Sequence, residues 1–77
     1  MVTAYSLIST EPNRTAEVFQ RVRVLEGVKE VECVAGPYDI IARIEVDSSD
    51  KLTKVIFGNI RSIAGITSTV GLIMIEL

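Results

Sequence analysis

Asp39 stands where packing does not call for a carboxylate, inside the apolar run Tyr38-Asp39-Ile40-Ile41-Ala42 and just after the turn-prone Gly36-Pro37. A second polar group, Thr67-Ser68-Thr69, precedes an equally apolar stretch near the end of the chain. Two kinds of chemistry suit these residues. The carboxylate can accept hydrogen bonds from a ligand ammonium group, with turn amides and the Thr69 hydroxyl left for a ligand carboxylate. The same aspartate is equally suited to capping backbone N–H groups of its own turn, and residue types alone leave both roles open. Catalytic chemistry is poorly provided for. The chain has no histidine, a single cysteine (Cys33), no Cys-x-x-Cys pair, no phosphate-cradling Gly-x-x-x-x-Gly-Lys loop and no nucleophile beside an obvious activator. Neither an enzyme nor a cofactor is expected, and Cys33 is expected to be a small core residue.

Charge and length narrow the class further. A net charge of −2 leaves no broadly basic surface, so direct nucleic-acid binding is not expected. The apolar run Val70 to Ile75 is far shorter than the ~20 residues a helix needs to cross a bilayer. The opening residues, Met1-Val2-Thr3-Ala4, lack a basic, then long apolar, secretory pattern. A cytoplasmic protein is expected, in keeping with one unpaired cysteine.

The elements that must position these residues are legible in a repeat. Apolar residues and glycines of the first half recur 38 positions later: Val2, Ala4 and Ile8 as Ile40, Ala42 and Val46; Val18, Phe19 and Val22 as Ile56, Phe57 and Ile60; Gly27-Val28 as Gly65-Ile66. Two copies of one strand-helix-strand unit account for all 77 residues as a single domain. Strands are expected over residues 2–9, 28–35, 38–46 and 66–77. One helix follows an Asn13 cap and ends at Gly27, and a second follows Asp47-Ser48-Ser49 and ends at Gly65. Such a doubled unit folds most simply as a ferredoxin-like βαββαβ domain of class α+β, a four-stranded antiparallel sheet with both helices on one face.

The last strand then raises a packing question. Val70, Leu72 and Met74 project to one face and Ile73, Ile75 and Leu77 to the other, so both faces are apolar. With 48% hydrophobic residues in so short a chain, the face without helices is expected to pack on a second copy, in a homodimer or higher assembly.

The stretch from Val31 to Ile41 with its Gly36-x-Tyr38-Asp39 turn, the following Val46-Asp47 through Leu52, and Gly65-Ile66-Thr67-Ser68-Thr69 resemble the effector-sensing domain of the Lrp/AsnC family of prokaryotic feast/famine regulators. That domain is also called the regulation-of-amino-acid-metabolism (RAM) domain. The resemblance implies dimers joined through their sheets, rings of dimers, and a free amino acid effector bound between dimers. Carried over by motif, Gly36, Tyr38, Asp39, Ser68 and Thr69 would line the ligand site. Thr69 matches the first threonine of the family's Thr-x-Thr pair, whereas Gly71 stands at the second, so one hydroxyl partner is missing. Without a helix-turn-helix the chain resembles the stand-alone form, and a role in transcriptional regulation would run through a partner such as a full-length Lrp/AsnC-type regulator. Two other readings follow: a structural assembly module that has lost its ligand, and a regulatory subunit of a metabolic enzyme in the manner of the related ACT domains.

Overall fold

The computed structural model describes all 77 residues. Its elements run β1 (Val2–Thr10), α1 (Thr15–Arg23), β2 (Val28–Cys33), β3 (Ile40–Val46), α2 (Ser49–Thr53), a π-helical segment continuing α2 (Lys54–Ile60), and β4 (Ile66–Ile73). The strands form one antiparallel sheet in the order β2-β3-β1-β4, the ferredoxin-like arrangement expected. No helix is long and apolar enough to cross a membrane.

Alternation decides which side of the sheet is the core. Along β1, Ala4, Ser6, Ile8 and Thr10 are buried, and along β3, Ile40, Ala42 and Ile44. Val18 and Val22 of α1, Leu52 of α2, and Val55, Ile56 and Ile60 of the π-helical segment close over them. The intervening residues Tyr5, Leu7 and Ile41 therefore face the side without helices, opposite Leu72 and Val70 of β4. Val70 is 39% exposed and Leu72 50%.

The repeat has a structural counterpart in two glycines. The helices stop before the expected glycines, at Arg23 and Ile60, and Gly27 and Gly65 lie in the turns leading into β2 and β4 with φ of 92° and 101°, a conformation costly for other residues. A Cβ on Gly27 would stand 3.0 Å from Val46 Cγ1, and one on Gly65 would stand 3.0 Å from Val18 Cγ2. Their carbonyls accept across the two halves, Gly65 O from Glu11 N and Gly27 O from Glu45 N, each at 2.9 Å.

Several boundaries differ from expectation. Asn13 does not cap α1. Arg14 holds the N-cap position without a side-chain cap bond, and pairs instead with Glu17 at 2.8 Å. β2 stops at Cys33, which is exposed on an edge strand and not in the core, because β2 has no neighbour beyond β3. β3 begins at Ile40, leaving Tyr38 and Asp39 in the turn. β4 ends at Ile73, opposite Ala4 of β1; Met74 retains one bond, its N–H donating to Thr3 O at 2.9 Å, and the rest of the tail leaves the sheet. Ser48 caps α2 as expected, accepting from Lys51 N at 3.2 Å.

The two borders of the sheet differ in character. β2 carries Lys29, Glu30 and Glu32, whereas β4 carries no charged residue from Ile66 to Ile73.

Candidate functional site

The turn after β2 and the start of β4 come to the same end of the sheet because both flank the last residues of β1. Asp39 N donates to Ile8 O at 2.9 Å on one side of that strand, while Thr69 pairs with Ile8 and Ser68 with Ser9 on the other. β1 thus separates Asp39 from Thr69 by two strand spacings, about 10 Å. Thr69 shares the helix side with its partner Ile8, and Ser68 lies on the opposite side. The structure therefore gathers the turn and Thr69 at one end but divides Ser68 from Thr69 across the sheet. Gly36 is exposed, and Tyr38, Asp39 and Thr69 are half-buried.

Asp39 already has a task in the fold. The register of β1 on β4 shifts between Ser9 and Thr10, and at this irregularity Thr10 N donates to Asp39 Oδ2 at 2.8 Å. The Thr10 hydroxyl adds a longer bond to the same oxygen at 3.4 Å and meets the Thr15 hydroxyl at 2.6 Å. One carboxylate oxygen therefore holds the end of β1 and, through Thr10 and Thr15, the first turn of α1. The expectation that a carboxylate here serves no packing need is corrected by this bond, which caps an N–H of β1 and not of the aspartate's own turn. Oδ1 makes no hydrogen bond within the chain.

At Gly71, where the missing threonine would stand, the backbone is not strained. A Cβ there would lie 3.6 Å from Ile56 Cδ1, an ordinary contact. Opposite Gly71 is Ser6, whose hydroxyl is fully buried and has no hydrogen-bond partner.

The helix-free face divides into a charged and an apolar half. On β3, the Arg43 guanidinium donates to Glu30 at 2.7 Å and pairs with Glu45. Its hydrogen bond to Glu30 raises its pKa above the ordinary arginine value, so it is cationic at any working pH. On the β1–β4 half, Tyr5, Leu7, Val70 and Leu72 make an apolar patch continued by Met74, which is 54% exposed.

Residue types alone did not single out a cleft at the other end of the molecule. It has a volume of about 180 Å³ and is lined by Glu26, Val46, Lys51, Lys54, Val55 and Asn59. The signal lay in the repeat: the counterparts of Lys54 and Asn59 in the first copy are Ala16 and Arg21, so the two halves part company here.

Known proteins match between 71% and all of the chain. The family model described as Lrp/AsnC ligand binding domain matches residues 3–76. A homocitrate synthase of Sulfurisphaera tokodaii is 40% identical over 55 residues, 71% of this chain and 12% of that enzyme. An uncharacterized HTH-type transcriptional regulator of Pyrococcus furiosus is 30% identical over 74 residues, 92% of this chain and 49% of the regulator. The chain thus spans about half of the regulator and a small part of the enzyme. Among solved structures, a protein of Thermus thermophilus matches with a TM-score of 0.95 at 31% identity, over 100% of this chain and 96% of that one.

Proposed function

The chain belongs to the Lrp/AsnC ligand-binding domain family, and on that footing we propose that it is a regulatory module which binds a free amino acid effector and thereby biases its own assembly. The supporting observation is that the Gly36–Asp39 turn and Thr69 flank β1 at the same end of the sheet, with Asp39 Oδ1 free to accept from an ammonium group. Gly36, Tyr38, Asp39 and Thr69 supply one flank of the site, and Ser68, on the other side of β4, is the weakest member of the set. Two strand spacings leave this flank open, so a neighbouring copy completes the site. The apolar half of the helix-free face, with Val70, Leu72 and Met74, is the surface through which copies dimerise, and dimers join further into a ring. An effector that fits one assembly better than another shifts the population toward it by its difference in affinity. The role is regulatory and not catalytic, exercised in the cytoplasm on transcription of amino acid metabolism through a full-length Lrp/AsnC-type regulator that shares these contacts.

A second reading has its own observation. The similarity to part of a homocitrate synthase favours a regulatory attachment to a biosynthetic enzyme. Co-purification separates the two, since a regulator and an enzyme are different captured proteins. A third, an assembly module without effector, is favoured by Gly71.

The test is thermal unfolding of the chain against each common amino acid at millimolar concentration. A ligand at 100 times its dissociation constant stabilises by about 2.7 kcal/mol, several degrees for this size. A selective shift that Thr69→Val removes supports the reading; no shift with any amino acid transfers it to the assembly module.

A further inference from the structure

We infer that β4, from Thr67 to Ile73, is a latch that opens from β1 while the rest of the sheet stays folded. Its closing couples the Thr69 end of the molecule to the apolar half of the helix-free face. The coupling rests on the function proposed above; the latch itself does not.

The two borders of the sheet are held unequally. In β2, Val28 and Val31 pack on the core together with Phe19 of α1, and Glu30 is tied across to Arg43 at 2.7 Å. In β4 only the first residue, Ile66, packs on the core. On its helix side Thr69, Gly71 and Ile73 lie opposite the buried Ile8, Ser6 and Ala4, yet Ile73 is 62% exposed and Gly71 has no side chain to cover its partner. No side chain from Ile66 to Ile73 makes a hydrogen bond or an ion pair. Beyond Ile66 the strand is therefore attached mainly by its backbone, and an element with few buried apolar contacts is the kind that opens without global unfolding.

Ser6 weakens the attachment further. Its hydroxyl is the one buried side-chain polar atom without a hydrogen-bond partner, and the register sets Gly71, the one glycine within a strand, directly opposite. An unpaired buried hydroxyl carries a desolvation cost, and here that cost opposes the closing of β4. With β4 lifted, Ser6 stands at the border of the sheet, where water reaches it and the cost is relieved. A hydroxyl at position 71 would meet the same need in the closed state. A Cβ there lies 3.6 Å from Ile56 Cδ1, an ordinary contact, and directly opposed side chains of an antiparallel pair reach each other. Glycine leaves the need unmet.

The position of the latch gives it a role. Thr69 lies on the helix side of β4, whereas Val70 and Leu72 lie on the helix-free side. A ligand that holds Thr69 and a second copy that covers Val70 and Leu72 both close the same strand, so each favours the other.

The experiment follows hydrogen exchange of single amides by NMR on the intact chain, with no amino acid added. It compares the β4 amides that donate to β1 with the β2 amides that donate to β3. The β4 amides are expected to exchange about tenfold faster or more. Ser6→Ala, which removes the unpaired hydroxyl, and Gly71→Ser, which gives it a partner, are each expected to slow β4 exchange about fivefold while leaving β2 unchanged. Gly71→Ala, which adds a side chain without a hydroxyl, slows it less than Gly71→Ser, and in a Ser6→Ala background that difference disappears. Protection of β4 equal to that of β2, or slowing spread evenly over all strands, would overturn the latch. The measurement is separate from the thermal scan against amino acids. A latch without any amino acid response counts against the proposed function alone, and an amino acid response without a latch counts against this inference alone.

Discussion

At the scale of single residues, Asp39 carries a structural duty that any ligand must share. Removing its carboxylate in Asp39→Ala leaves Thr10 N without its acceptor in a half-buried place, at an expected cost of about 1–3 kcal/mol, read from urea unfolding. A ligand phenotype of this variant is therefore interpretable only beside its stability, and Thr69→Val is the cleaner probe. The duty was illegible in the sequence because it spans 29 positions and depends on the β1–β4 register shift, which no local pattern announces. The identity of the candidate residues was legible, since a carboxylate in an apolar run is conspicuous; what it binds was not. Glu17 gives a second prediction. The Arg14 hydrogen bond, and then its charge, hold the Glu17 carboxyl below its ordinary pKa. Its contribution is full above the ordinary carboxylate range and is lost as pH falls through the lowered folded value. Glu17→Gln is accordingly less stable than the parent at neutral pH, and the gap in urea midpoint closes on acidification. The gap also shrinks in high salt, because the pair is solvent-exposed.

At the scale of elements, the glycines divide into two kinds. Gly27→Ala and Gly65→Ala each force a Cβ into a positive-φ backbone and against a valine, and each is expected to cost about 1–2 kcal/mol. Gly58 lies within the helix with open space around its Cα, so Gly58→Ala is expected to add about 0.5–1 kcal/mol. Thermal unfolding reads both, with midpoints moving in opposite directions; a fall for Gly58→Ala would show that the π-helical segment needs its glycine. The glycine turns into β2 and β4 were legible because glycine after an apolar helical stripe marks a reversal, but the helices themselves stop earlier, at Arg23 and Ile60. The π-helical form was not, because Val55, Ile56 and Ile60 also fit the stripe of an ordinary helix. Strand ends were misplaced where hydropathy runs past the pairing: apolar Met74 and Ile75 follow β4, yet its ladder stops at Ile73, opposite Ala4.

At the scale of the whole molecule, the repeat made the architecture legible, since two strand-helix-strand units of this length have few other ways to bury both apolar stripes. The apolar half of the helix-free face carries the corresponding prediction. Leu72→Glu, opposite Tyr5 in the middle of that half, places a charge where a second copy would seal it from water, and is expected to lower the mass measured by light scattering. Met74→Lys, at the rim, is expected to act in the same direction and less strongly. An unchanged mass in both variants would remove that surface from consideration. The contrast between the sheet's borders sets a further limit. A strand added from another chain meets Lys29, Glu30 and Glu32 at β2 but only uncharged residues at β4, so edge-to-edge pairing favours β4 against β4. Two chains joined in this way present only β2 borders outward, and polymerisation by sheet extension, the route to fibrils, terminates at two.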